Sequence, residues 1–240
     1  MFILLLWSNL SLGHHEVLKV GYIEYPPLIY VKNSKVVGAL VDYLKDIFPF
    51  YSIEYVSTPL SRVPDLISKD FIHLFPMYFY SKERAKTVHF VPVSFHSLQP
   101  CLCALKSTAI ASDIRNAETF KNKKITHIRG TLKNRNFLNF KLTKYLALAP
   151  QDYYEKSLKL LKLRRTHFAY YADFDEIKRY IQKNKISGIH CENSNYPKDE
   201  MFFVTNKSFY LKKSLKVFLQ EKPFQPYLEK YLNSTNWQMN

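Results

Sequence analysis

Phe71-Ile72-His73-Leu74-Phe75-Pro76, followed by Ser81-Lys82-Glu83-Arg84-Ala85-Lys86 and Val88-His89-Phe90, is the stretch on which the reading turns. Its first part has the length and apolar content of a short buried strand. Ser81 stands at an N-cap position, with Lys82 to Lys86 as a short helix behind it. That arrangement carries Arg84 into the first turn of a helix whose N-terminus faces the space beyond the strand end. A guanidinium held beside free backbone N–H groups traps carboxylates, because its planar fork matches two oxygens and the helix end adds partial positive charge. A solvated helix with a surface arginine is the plainer reading, and the surrounding sequence decides between the two.

Working outward, strands and helices alternate from Val17. Leu18 to Ile23 reads as a strand and Glu24 to Leu28 as a proline-containing loop. Gly38 opens a helix through Phe48, with Leu40, Val41, Leu44 and Ile47 on one face. Ser52 to Val56 is a strand, Arg62 to Ser68 a helix and Ile72 to Phe75 a strand. Such a βαβαβ series predicts a mainly parallel sheet covered by helices, an α/β fold. The series then restarts: strands at Leu102 to Leu105 and Lys124 to Ile128, a helix from Leu132 to Phe140, and a strand at Lys144 to Ala149. A helix over Tyr153 to Leu163, a strand over His167 to Tyr171 and a helix capped by Asp173 and running to Lys183 complete it. Phe202 to Thr205 is a last strand, before helices over Leu211 to Gln220 and Pro226 to Leu232.

A weak internal echo joins the halves: Leu66-Ile67…His73-Leu74-Phe75 against Leu160-Leu161…His167-Phe168-Ala169. Two lobes are therefore expected, residues 16–98 plus 201–240 forming the first and 99–200 the second. The crossings fall at Ser97 to Pro100 and Lys198 to Met201. Ligands of open α/β sheets bind beyond the carboxyl ends of the strands, so the cleft between the lobes is the natural site.

Composition removes several function classes. Among 240 residues only five are glycine, and neither GxGxxG nor GxxxxGK[ST] occurs, so a nucleotide-binding loop is not expected. The formal charge of +15 comes from lysines scattered along the chain, with no zinc spacing or helix-turn-helix signature beside them. No nucleic-acid partner is expected. Cys101, Cys103 and Cys191 form no metal pattern. Cys101 and Cys103 share one face of a strand, and a bridge from Cys191 to either would leave an odd thiol; buried free thiols are the plainer expectation. Residues 1–13 carry no charge, hold the block Phe2-Ile3-Leu4-Leu5-Leu6-Trp7, and end in Ser11-Leu12-Gly13. They read as a signal peptide cut after Gly13, too short to span a bilayer.

Four segments carry a family resemblance: Val20-Gly21-Tyr22…Tyr25-Pro26-Pro27-Leu28, Val37-Gly38-Ala39-Leu40-Val41-Asp42-Tyr43-Leu44, Ser81-Lys82-Glu83-Arg84-Ala85, and Gly130-Thr131. In this order, the chain resembles the bacterial extracellular solute-binding proteins of the polar amino-acid type, the periplasmic binding proteins of type II. The resemblance implies a two-lobed Venus flytrap, periplasmic and monomeric. It would pass a small carboxylate-bearing solute to the permease of an ABC importer, with no cofactor and no metal. Arg84 would grip the ligand carboxylate, Tyr25 would form an aromatic wall, and Thr131 would bind the same carboxylate or simply cap its helix. Met77 and Phe79, flanked by Tyr78 and Tyr80, occupy positions that amino-acid-binding relatives give to small hydroxyl residues. Met77, Tyr78 and Phe79 are thus expected at the ligand. After the strand ending at Tyr171, the slot for a carboxylate that holds the ligand ammonium falls on Ala172. Asp173 would serve with a shift of one residue, or act only as an N-cap. A less polar organic acid suits the 18 tyrosines and 18 phenylalanines as well as an amino acid does, and those residues also read as plain core.

Two rivals remain. An enzyme on the same fold, dehydratase-like, would need an acid or base in the cleft, for which Glu24, His73, His167 and Asp173 are the candidates. A sensing or partner-binding domain without a ligand would suit Met77, Phe79 and Ala172.

Overall fold

The computed structural model describes residues 16–108, 120–129, 144–149, 152–193, 197–209 and 212–233. Thr131, the helix expected over Leu132 to Phe140, and the leader expected over residues 1–13 lie outside these residues. The chain order is β1 (Val17–Tyr22), β2 (Tyr30–Lys32), β3 (Lys35–Val37), α1 (Ala39–Ile47), β4 (Ser52–Ser57), α2 (Val63–Ser68), β5 (Leu74–Phe79) and β6 (His89–Leu98). A second group follows: β7 (Cys101–Leu105), β8 (Lys124–Ile128), β9 (Lys144–Leu148), α3 (Tyr153–Lys162), β10 (Phe168–Tyr171), α4 (Phe174–Lys183) and β11 (Ile189–Glu192). The chain then returns through β12 (Asp199–Thr205) to α5 (Lys212–Glu221) and α6 (Gln225–Asn233).

Two five-stranded sheets result, ordered β4-β1-β5-β12-β6 and β11-β7-β10-β8-β9. β1 lies between its parallel partners β4 and β5, and β8 lies between its parallel partners β9 and β10. The other half of each sheet is antiparallel: β12 runs against β5 and β6, and β7 against β10 and β11. Each sheet is thus mixed. The parallel half is the one the βαβ spacing foresees; the antiparallel half is built from the strands that carry the chain between lobes.

In both sheets the chain steps to one side of a parallel strand, β1 or β8, and then to the other. The loops that follow β1 and β5 therefore diverge at a switch point, as do those that follow β8 and β10, and each switch point opens a crevice at the strands' carboxyl ends. Leu18, Val20, Leu40 and Leu44 pack with Phe95, Phe203 and Phe224 on one face of the first sheet, while Val63, Ile67, Phe75 and Tyr78 fill the other. The second lobe has Leu102, Phe120, Ile125 and Phe168 on one side and Cys101, Leu158, Leu161, Ala169 and Ile177 on the other. Much of the aromatic enrichment is core. Tyr43 shows how: its fully buried ring packs on Phe95, Phe218, Phe224 and Tyr227, while its hydroxyl donates to the Lys222 carbonyl at 2.8 Å.

Gly38 opens α1 with φ of 135°, and any Cβ there would collide with the Leu28 carbonyl. Only glycine meets both demands. The expectation of free thiols is corrected: β11 lies in register with β7 so that Cys191 faces Cys103, and the two form a disulfide. Cys101 stays a buried free thiol. β11 and most of β6 escaped the sequence reading, so this pairing was not foreseen. The crossings are tied together, since Gln99 Nε2 donates to the Asn193 carbonyl at 3.3 Å and Tyr170 Oη donates to Asp199 at 2.8 Å. No helix of the described residues is long and apolar enough to cross a membrane.

Candidate functional site

The first lobe brings Tyr25 and Arg84 to its switch point, three residues beyond β1 and five beyond β5. The Tyr25 backbone is locked in a tight turn: its N–H donates to the Ile29 carbonyl at 2.7 Å, and its carbonyl accepts from Leu28 at 2.8 Å and Ile29 at 3.1 Å. Ser81 Oγ accepts the Arg84 N–H at 3.1 Å, as its capping position foretold. The helix behind it is shorter than expected, a single 3-10 turn over Arg84–Lys86. One such turn sums few peptide dipoles. The preference for an anion therefore rests on the guanidinium itself.

The end of β5 fixes that guanidinium. Arg84 Nη1 donates to the Phe79 carbonyl at 3.0 Å, and Cζ lies 4.0 Å from the centroid of the Tyr78 ring. Carbonyl and π face together hold the cation in one orientation. Burial lowers the guanidinium's hold on its proton and the Tyr78 phenol acts the other way, but arginine stays charged in any case. Tyr78 and Met77 are core residues, 2% and 4% exposed, and they support Arg84 from beneath. Met77 has φ of +61° beside the point where the β5–β12 register shifts. That left-handed residue turns the end of β5 and so sets where Tyr78 and Phe79 point. Phe79 is half-buried against the first-lobe core.

Across the cleft, Tyr171 is 2% exposed and belongs to the second-lobe core. Its hydroxyl bonds Ser157 Oγ at 2.7 Å, and its ring stacks on Tyr154 with centroids 5.5 Å apart. Ala172 packs against the first-lobe core, so the lobes meet here. Asp173 caps α4, with Oδ1 accepting from the N–H groups of Asp175 at 2.9 Å and Glu176 at 3.1 Å. Burial is the main cause that raises its carboxyl pKa.

Glu176 went unnoticed in the sequence. It stands three residues after Asp173, the spacing of a capping box, in which the glutamate would bond back to the cap's N–H. It does not do so here. Glu176 is 1% exposed, and among the described residues neither carboxylate oxygen meets a well-aligned hydrogen bond, although the Tyr25 and Tyr154 hydroxyls lie against it. Desolvation, then Asp173, push its pKa up to about 8, although Tyr154, Tyr25 and Arg179 act to lower it. Tyr25 reaches this group from the opposite lobe: burial and then Glu176 and Asp173 raise its phenol pKa well above the ordinary value. Tyr25 is thus the first-lobe residue seen to engage the second-lobe acids. Glu24 lies next to it in the same loop. His73 and His167 stand at the amino ends of β5 and β10, away from the cleft.

A surface depression lies elsewhere, between α1 and α6. There Tyr227 donates to Asp46 at 2.5 Å and Lys230 pairs with Asp42 at 3.2 Å, so both acids of the depression are already engaged.

The chain matches no protein-family model, and no curated protein matches its sequence. Solved structures do match it. An ancestral arginine-binding protein bound to arginine superposes with a TM-score of 0.73 at 16% identity, covering 91% of this chain and 99% of that one. A substrate-binding protein of an ABC uptake transporter from Streptococcus pneumoniae, with bound histidine, gives 0.66 at 14% identity, covering 91% and 93%. A binding component of an ABC transporter from Wolinella succinogenes, complexed with lysine, gives 0.72 at 14% identity, covering 92% and 97%. Across nearly its whole length this chain has the two-lobed fold shared by these amino-acid-binding proteins, that of the type II periplasmic binding proteins.

Proposed function

We propose that the chain is a solute receptor, which closes two lobes over a small carboxylate-bearing molecule, an amino acid or a related organic acid. It would act outside the cytoplasm as a monomer and present the solute to the permease of an ABC importer. Arg84 is the observation that carries this reading: a cation held in fixed orientation by the Phe79 carbonyl and the Tyr78 ring, at the switch point of the first sheet. A preoriented guanidinium binds a carboxylate with little loss of its own freedom. Tyr25, backed by its locked turn, would close the other side of the ligand, and Thr131, three residues beyond β8 in the sequence, would bind the same carboxylate. Met77 and Tyr78 would act through Arg84 and the strand end, Tyr171 through Tyr154.

The likeness to amino-acid-binding structures supports the class of solute and not its identity. A catalytic reading loses two of its four candidates, because His73 and His167 each accept a backbone N–H at the amino end of a sheet, from Lys19 at 3.2 Å and Lys124 at 3.0 Å. Thermal-shift screening of the protein against amino acids and small organic acids tests the proposal. A binder should raise the melting temperature by mass action, and Arg84→Ala should remove that response. A shift that persists in Arg84→Ala takes the arginine out of the site.

A further inference from the structure

The two lobes fold matching corners at the amino ends of their sheets, and the corners differ in charge. In the second lobe, Arg164 and Arg165 lie in the corner before β10, and His167 bonds the backbone of Lys124. Lys144 stands opposite Lys124 in the β8–β9 register and donates its N–H to the Lys123 carbonyl at 2.9 Å. Lys123, Lys124, Lys144, Arg164 and Arg165 are therefore gathered at one pole. All but the half-buried Lys123 are exposed, and none of them belongs to an ion pair among the described residues. The sequence has no Asp or Glu between Glu118 and Asp152, nor between Glu155 and Asp173. The corner of the first lobe is balanced instead. Asp70 takes the left-handed place that Arg164 holds, and Lys69 pairs with Asp65 at 2.8 Å. A lysine-rich composition would charge both corners alike, so it does not account for the difference.

Leu163, next to Arg164, is 53% exposed, and it opens a groove between α3 and α4 that Leu158, Tyr180 and Ile186 line. An apolar side chain among unpaired cations matches an interface with phosphates above and hydrocarbon below. Nucleic acid offers the phosphates without the hydrocarbon and leaves the leucine unexplained. We propose that this pole docks reversibly on an anionic lipid bilayer, with Lys124, Lys144, Arg164 and Arg165 against the headgroups and Leu163 below them. Each cation near such a surface strengthens attachment by about fivefold. The pole lies at the end of the second sheet away from the cleft, so docking leaves the candidate site open.

Co-sedimentation of the full chain with vesicles tests the proposal, phosphatidylglycerol and phosphatidylcholine in equal parts against phosphatidylcholine alone. The protein should bind the anionic vesicles at low salt and lose at least ~10-fold in affinity in ~0.5 M salt. Neutral vesicles should retain little of it. Arg164→Gln with Arg165→Gln should weaken binding by about 30-fold, and Leu163→Ser by about 5-fold. Lys35→Gln with Lys216→Gln removes the same charge from exposed positions elsewhere and should change affinity by less than about 3-fold. An equal loss in both pairs overturns the proposal, since net charge alone would then govern attachment. So does a failure to bind anionic vesicles at low salt. Duplex DNA that binds as tightly as the vesicles, with Leu163→Ser indifferent to both, overturns the choice of a bilayer. The salt and neutral-vesicle comparisons use the unaltered protein, so a variant that fails to fold leaves the test intact. No solute enters the assay, and its outcome is separate from that of the receptor reading.

Discussion

Both lobes wind the same way around one parallel strand, with order β4-β1-β5 in one and β9-β8-β10 in the other, yet they turn opposite chemistry toward each other. The first lobe offers a cation already held by protein groups, a carbonyl and a ring. The second offers an acid, Glu176, buried without a well-aligned hydrogen bond among the described residues. A fixed cation costs the protein little to maintain and waits for an anion. A buried acid without such a bond lowers stability as it ionises. The same winding thus produces one wall that is preorganised and one that is unsatisfied.

Removing the preorganised wall should have the largest effect. Arg84→Lys keeps a positive charge but loses the planar fork and the ring contact, so affinity for any carboxylate probe should fall by about 100-fold in titration calorimetry, ~3 kcal/mol. The melting temperature of the variant without ligand should move little. Equal affinity in the lysine variant would show that the first lobe supplies charge alone and not geometry.

A second contrast is covalent. The second lobe carries the Cys103–Cys191 bridge across 88 residues, and no described bridge joins the first lobe. Closing so long a loop restricts the unfolded chain, so Cys103→Ser should cost about 3 kcal/mol in denaturant unfolding. Reductant should reproduce the loss in the unaltered protein and add nothing in the variant. If the two lobes unfold in separate transitions, only the second-lobe transition should shift.

The unsatisfied wall makes stability depend on pH. Between the ordinary glutamate value of 4.5 and about 8, the folded protein keeps the Glu176 proton that the unfolded chain has released. Stability therefore falls as pH rises through this window, by up to about 1.4 kcal/mol per unit. The raised Asp173 pKa acts with the same sign. Melting temperatures measured from pH 5 to 8 should decline in the unaltered protein, and the slope should flatten in Glu176→Gln. An equal slope in both would place the ionisation elsewhere.

What was legible in the sequence follows from the same physics. Periodic apolar positions of α1, the Asp173 cap and the echo between lobes could be read because each is a local pattern, fixed by residues near in sequence. Arg84 could be placed because Ser81 caps its turn. β11 and most of β6 were missed, since long-range partners define them: among the described residues β6 pairs only with β12, which lies more than a hundred residues away in the chain, and β11 only with β7. The disulfide depended on that pairing and was lost with it. Glu176 hid behind a capping-box spacing that explains its position but not its carboxylate, which only the packing of Tyr25 and Tyr154 around it reveals.

The smallest effect tests how far the repeat extends beyond topology. In the first lobe the Phe71 and Ile72 N–H groups donate to the Leu66 carbonyl at 3.0 and 3.3 Å; in the second, Arg165 and Thr166 donate to Leu160 at 2.9 and 3.4 Å. Each corner passes through a left-handed residue, Asp70 with φ of 56° and Arg164 with φ of 55°. Each ends in a histidine that exchanges two bonds with the neighbouring parallel strand, β1 or β8. His73 donates its N–H to the Lys19 carbonyl at 2.8 Å and accepts the Lys19 N–H on Nδ1; His167 does the same with Lys124, donating at 2.9 Å. The side-chain bond is the removable part, so His73→Ala and His167→Ala should each cost about 1 kcal/mol or less in denaturant unfolding. The loss should be greater at His73, where the bond is partly buried, than at His167, where water can take over the Lys124 N–H. Neither variant should alter ligand affinity, because both corners lie at the ends of the sheets away from the cleft. A change in affinity at either corner would show that the amino ends of the strands are coupled to the site, and the two lobes would then differ in more than their facing walls.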